Sequence, residues 1–205
     1  MRDLASGGPT AAILTLAAGL GCSSGTAPAP STTVAEPLST PVLLGELTRE
    51  EIEAAVPSWV AAEVDAEPDP EAARALGEVE PGARVTVLLG TWCADSRREL
   101  ARLWRAFDEA GLLDPAELPF ELGYVGVDRD KARPEELVAG VGLRYVPTFV
   151  VERGGREVGR MVEVSPHGIE HDLLALLRGE ATGVVSARDD REDLGGPETP
   201  GSRRR

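Results

Sequence analysis

Arg84-Val85-Thr86-Val87-Leu88-Leu89-Gly90-Thr91-Trp92-Cys93-Ala94-Asp95-Ser96 decides the reading of this chain. Its first six residues are apolar or β-branched apart from Arg84, the pattern of a buried strand. After Ser96 the spacing changes. Leu100, Leu103, Trp104 and Phe107 fall on one helical face and Arg98, Arg102, Arg105 and Glu109 on the other, the signature of a helix packed on a sheet over 94–110, ended by Gly111. The segment is therefore a strand, a tight turn and a helix, with one thiol at the helix's first turn. Unpaired N–H groups and the helix dipole favour an anion there, so thiolate formation is expected to be eased. One turn on, Ser96 supplies a hydroxyl where a second thiol would allow an internal disulfide. A C-x-x-S site can bond only to another molecule's sulfur.

Working outward, the periodicity predicts strands over 83–89, 120–127, 148–152 and 156–164, a short helix over 134–139 and a final helix over 166–178. Two strands joined through a helix are parallel, and Arg153-Gly154-Gly155-Arg156 is a hairpin signal that makes the last two antiparallel. Upstream, Thr48-Arg49-Glu50-Glu51 is a capping-box pattern opening a helix with Ile52, Val56, Trp59 and Val60 on one face, which Pro57 should kink or split. A second short helix runs from Pro70, capped by Asp69, to Gly77. The expected organisation is a signal segment at 1–22, a linker at 23–45, an N-terminal helical extension at 46–82, the main domain at 83–179 and a disordered tail at 180–205.

Two motifs on these elements resemble the thioredoxin superfamily. Trp92-Cys93-Ala94-Asp95-Ser96 is similar to that family's W-C-x-x-C with serine last. Gly142-Leu143-Arg144-Tyr145-Val146-Pro147-Thr148-Phe149 is similar to the segment that carries its cis-proline. The resemblance implies an α/β, thioredoxin-like fold: a central mixed sheet of about four strands flanked by helices, here with the N-terminal helical extension. It implies that Cys93 is the nucleophile, that Pro147 is cis and faces it, and that the Val146 backbone pairs with an extended substrate. Pro147 also reads as a proline tolerated at a strand edge. Trp92 reads either as an apolar wall for the substrate or as packing for the loop. Two departures stand out. Ser96 replaces the resolving thiol, and Val87 stands six residues before Cys93, where many thioredoxins hold a buried acid. Asp95 is the neighbouring group placed to modulate the thiol, in either direction.

The implied chemistry is thiol–disulfide exchange through a single cysteine: a mixed disulfide with a protein or small-molecule client, assisted by the Ser96 hydroxyl and resolved by an external thiol. Alternatives are a redox-inactive peptide-binding module and a sensor oxidised at Cys93. With 205 residues, 42% hydrophobic content, a formal charge of −14 and a pI near 4.6, a nucleic-acid partner is excluded by repulsion. The other cysteine, Cys22, follows the apolar run 11–20, which is too short to span a bilayer. This arrangement resembles the lipobox of bacterial lipoproteins, although Gly19 stands where leucine is usual, and an ordinary export signal is the other reading. The expected location is the cell envelope or periplasm, with membrane contact through a lipid on Cys22 only. His167 and His171 sit four apart without a third ligand and Asp128-Arg129-Asp130 lacks the residues of a calcium loop, so no metal and no cofactor is expected.

Overall fold

The structure, a computed structural model, describes residues 40–189 and Leu194. The expected signal segment, Cys22 and the linker up to 39 lie outside the described residues, as do 190–193 and 195–205. Thr48 opens α1 (Arg49–Ala55) with the reciprocal pair of bonds expected of a capping box: its hydroxyl accepts the Glu51 N–H, and the Glu51 carboxylate accepts the Thr48 N–H at 2.8 Å. Pro57 separates α1 from α2 (Ser58–Val64). Asp69 caps α3 (Pro70–Leu76) by accepting the N–H groups of Glu71 and Ala72.

The rest follows as β2 (Ala83–Leu89), α4 (Ala94–Ala110), a 3-10 turn at Pro115–Glu117, β3 (Phe120–Gly126), α5 (Glu135–Val138), β4 (Thr148–Arg153), β5 (Arg156–Val162) and α6 (Ile169–Arg178). Two three-residue strands complete the sheet, β1 (Gly45–Leu47) before the helices and β6 (Gly183–Val185) after them. The strand order is β1-β3-β2-β4-β5-β6. β2 and β3 are parallel and β4 and β5 antiparallel, joined by Gly154 and Gly155 at φ 60° and 70°, a conformation other residues adopt only under strain. β1 runs antiparallel to β3 and β6 parallel to β5.

The sheet thus has six strands rather than about four. Both additions are edge strands too short for a two-residue alternation to register, and β6 lies in the stretch read as a tail. Three further expectations are corrected. The final helix, expected over 166–178, begins only at Ile169, because Asp172 holds the preceding turn by accepting from Ser165 and from the His167 N–H. β3 ends at Gly126. Val60 is exposed, because the restart at Ser58 resets the helical phase and turns Trp59 and Glu63 inward instead.

The larger core lies on one sheet face, where Val85, Val87, Leu89, Phe149 and Met161 meet the helices. The extension is part of it. Trp59 packs on Trp104 with ring centroids 5.7 Å apart, and Trp104 donates to the Tyr124 hydroxyl at 2.9 Å. The opposite face carries a smaller cluster, Leu88, Val125, Val127, Val146 and Val150, against which Trp92, Cys93 and the short α5 pack. No helix among the described residues is long and apolar enough to cross a membrane.

Candidate functional site

Cys93 is the N-cap of α4. Its N–H donates to the Gly90 carbonyl at 2.9 Å, its carbonyl accepts the Arg97 N–H at 3.1 Å, and no side chain caps the helix. The thiol is half-buried and donates to the Val146 carbonyl at 3.2 Å, across 53 residues of sequence. The Val146–Pro147 peptide is cis, and the Pro147 carbonyl accepts the Glu163 N–H at 2.8 Å. A second cis bond, Arg133–Pro134, was not anticipated. Val146 and Pro147 are both buried, so what this segment turns toward the thiol is main chain.

The turn before Cys93 is built around a close approach. A Cβ at Gly90 would lie 2.6 Å from the Trp92 ring, so only glycine lets the indole lie on the backbone there. The Trp92 Nε1–H donates to the Val127 carbonyl at 3.2 Å, and the Arg129 guanidinium sits 5.1 Å above the ring centroid. These contacts brace the loop, the packing role weighed for Trp92, and the residue stays half-buried. Thr91 ties down the chain ahead of β1: its hydroxyl donates to the Pro41 carbonyl and accepts the Leu43 N–H.

Ser96 behaves differently from the expectation. It is fully buried, and its hydroxyl accepts the Gly90 N–H at 3.2 Å, so it is held toward the β2–α4 turn and not toward the sulfur. At the first turn of a helix the side chain one turn after the cap faces the preceding loop, and Gly90 offers an N–H that no strand pairs. Asp95 pairs with Arg98 at 2.9 Å, and the exposed Arg98 also reaches Glu99 at 3.1 Å. Glu99 is buried, and that burial pushes its carboxyl above the ordinary range against the opposing pull of Arg98. Val87 is fully buried in the larger core, so the position six before the thiol is apolar.

Three residues of the site escaped the sequence reading: Thr91, Arg129 and Arg160. Arg160 is buried, paired through two nitrogens with Glu157, and donates to the Val141 carbonyl at 2.9 Å, pinning the loop that leads to Val146. An arginine between Val158-Gly159 and Met161-Val162, three residues after Glu157, was the available signal. The two histidines go to different partners, His167 to Asp172 at 2.8 Å and His171 to Asp69 at 3.8 Å. Among the described residues no cluster of three or more metal-ligating side chains occurs.

No protein-family model and no curated protein matches the chain. Among solved structures, it is similar to a protein of unknown function from Pseudomonas aeruginosa at 19% identity and a TM-score of 0.42, the match covering 63% of this chain and 86% of that one. It is also similar to an HIV epitope-scaffold at 20% identity and the same TM-score of 0.42, with 63% of this chain and 86% of that one covered.

Proposed function

We propose that this is a thioredoxin-like protein of the cell envelope that performs thiol–disulfide exchange through Cys93 alone. The observation that carries the reading is the half-buried Sγ at the N-cap of a 17-residue helix, bonded to the carbonyl that precedes a cis-proline. In the reaction, the Cys93 thiolate attacks one sulfur of a client disulfide, that S–S bond breaks, and the departing thiolate takes up a proton. A protein-bound mixed disulfide results. An external thiol, or the client's second cysteine, then attacks it and returns Cys93 to the reduced state. Trp92 forms a wall beside the sulfur, and the Val146–Pro147 backbone is the surface on which an extended client lies. Asp95, held by Arg98, is the charge nearest in sequence to the reacting group. The Ser96 hydroxyl supports the turn rather than the sulfur. The lipid on Cys22 and the linker expected at 23–45 belong to the same reading.

The buried, Gly90-bound hydroxyl of Ser96 favours a second reading, a redox-inactive module that binds peptides at the same groove. The test compares the second-order rate of the reduced protein with 2,2′-dithiodipyridine against that of an unstructured peptide spanning residues 90–97, with Cys93→Ser as the blank. Exchange chemistry requires the folded protein to react ~10-fold faster or more at neutral pH. A rate at or below the peptide's leaves the binding module.

A further inference from the structure

The N-terminal extension does more than close the core. Between its α2–α3 end and the β5–α6 turn lies an open cleft of about 800 Å³, whose floor includes the small residues Ala62, Ala66 and Ala94. Ala94 directly follows the thiol, and the β5–α6 turn is anchored to the site by the Glu163 N–H on the Pro147 carbonyl. Through Ala94 the cleft reaches the residue next in the chain to the thiol, and one of its walls is supplied by the extension. That wall is acidic. Asp65 and Glu67 are exposed and, among the described residues, neither has an ion-pair partner.

The guanidiniums that face them are largely committed. Arg98 is shared by Asp95 and Glu99, Arg102 is held by Glu170 at 2.6 Å and His167 by Asp172, which leaves Arg97 as the cation of the opposite wall with no ion-pair partner among the described residues. The chain's formal charge of −14 adds a long-range field of the same sign as the acidic wall.

We propose that this cleft receives an extended, cationic stretch of the client polypeptide, with basic side chains against Asp65 and Glu67 and the client's sulfur directed to Cys93. This inference rests on the exchange reading. It makes the extension a selectivity element: a small disulfide ignores it, and a polypeptide client does not.

The test uses the full chain and two nine-residue peptides of glycine and alanine, each with one cysteine activated as a 2-thiopyridyl disulfide, one carrying four lysines and the other four glutamates. Release of 2-thiopyridone gives the rate. The wild type should favour the lysine peptide by ~10-fold at low salt, with the gap shrinking as salt screens it. Asp65→Lys with Glu67→Lys should abolish or reverse that preference and leave the rate with 2,2′-dithiodipyridine unchanged. Glu78→Lys with Glu80→Lys, which alters net charge equally on exposed positions after α3, should keep most of it. Ala66→Trp, which fills the floor, should slow both peptides and not the small probe. Equal effects of the two double variants would assign the preference to net charge and overturn the cleft. A protein inert even to 2,2′-dithiodipyridine would overturn the exchange reading itself, and the cleft proposal with it.

Discussion

Replacing Glu63 by glutamine should make the protein more stable at pH 8 and leave it unchanged at pH 4. Glu63 is buried, 8% exposed, on α2, where Arg49 of α1 is gripped by Asp108 through two nitrogens at 2.7 and 2.8 Å, by Glu53 at 2.6 Å and by Glu63 at 2.5 Å. The two-point pair with Asp108 is the strong ion pair of this cluster. It holds Arg49 charged well above the ordinary guanidinium range and Asp108 below the ordinary carboxyl range, the Arg49–Asp108 hydrogen bond being the largest cause on both sides. Glu63 arrives as a surplus anion. Burial first, then its hydrogen bond with Asp108, push its carboxyl from 4.5 up to about 7, against the attraction of Arg49.

An acid raised in the folded state contributes stability that is complete below its unfolded pKa and is lost as pH rises through the folded one, here from about 4.5 to 7. The whole shift corresponds to about 3.5 kcal/mol at ~1.4 kcal/mol per unit. Because Arg49 keeps a quarter of its side-chain exposure, screening reduces this to about 1–2 kcal/mol. Glutamine keeps the hydrogen bonds and cannot ionise, so Glu63→Gln should gain that 1–2 kcal/mol at pH 8 and match the wild type at pH 4, below the unfolded pKa. Urea unfolding of both proteins at pH 4, 6, 7 and 8 measures it. Glu99, also raised by burial, tilts both curves alike and cancels in the difference. A variant that is less stable than the wild type at pH 8 would show that Arg49 needs the ionised Glu63, and the reasoning would be wrong.

Gly90→Ala should cost about 1–3 kcal/mol and shift tryptophan emission, since the added methyl meets the Trp92 ring at 2.6 Å and the indole must leave its seat. Ser96→Ala should cost about 1–2 kcal/mol by leaving the buried Gly90 N–H unpaired, while the Cys93 rate with 2,2′-dithiodipyridine changes less than ~3-fold. Arg160→Met should destabilise by about 3–5 kcal/mol in urea titrations, because Glu157 loses its partner and the Val141 carbonyl its donor.

The elements that were legible in the sequence are those whose cause is local. Thr48 with Glu51, and Asp69 with Pro70, mark helix starts through side chains reaching N–H groups two or three residues away. The run 83–89 carries its own apolar pattern, and Gly154-Gly155 supplies the turn geometry that sets β4 against β5. What escaped depends on something distant or on too few residues. β1 and β6 exist because β3 and β5 offer free edges, which three residues cannot announce. The outward turn of Val60 follows from a phase reset at Pro57 that a single helical wheel drawn through 49–64 hides. Within the site, the thiol's place at a helix start was readable. Its approach to Val146 was expected only through the resemblance, and the direction of the Ser96 hydroxyl depended on which N–H the β2–α4 turn left unpaired.

The surroundings of Cys93 show why that limit is physical. Each support of the turn comes from a different part of the chain: the Pro41–Leu43 stretch holds Thr91, Val127 holds the indole, Val146 receives the thiol, and Glu163 holds the cis-proline segment. These contacts are main-chain groups on one side, which carry no side-chain signature to read. They are brought together only when β3, β4 and β5 pair with register intact. The thiol's surroundings are therefore a property of the assembled sheet, and a remote residue such as Arg160, two contacts away from the sulfur through Val141 and its loop, acts on them through backbone position alone. The same logic bears on the extension. Trp59 and Arg49 lock it to α4 at Trp104, at distances of 5.7 and 5.4 Å, and that lock is what sets Asp65 and Glu67 across the cleft from the helix that begins at the thiol.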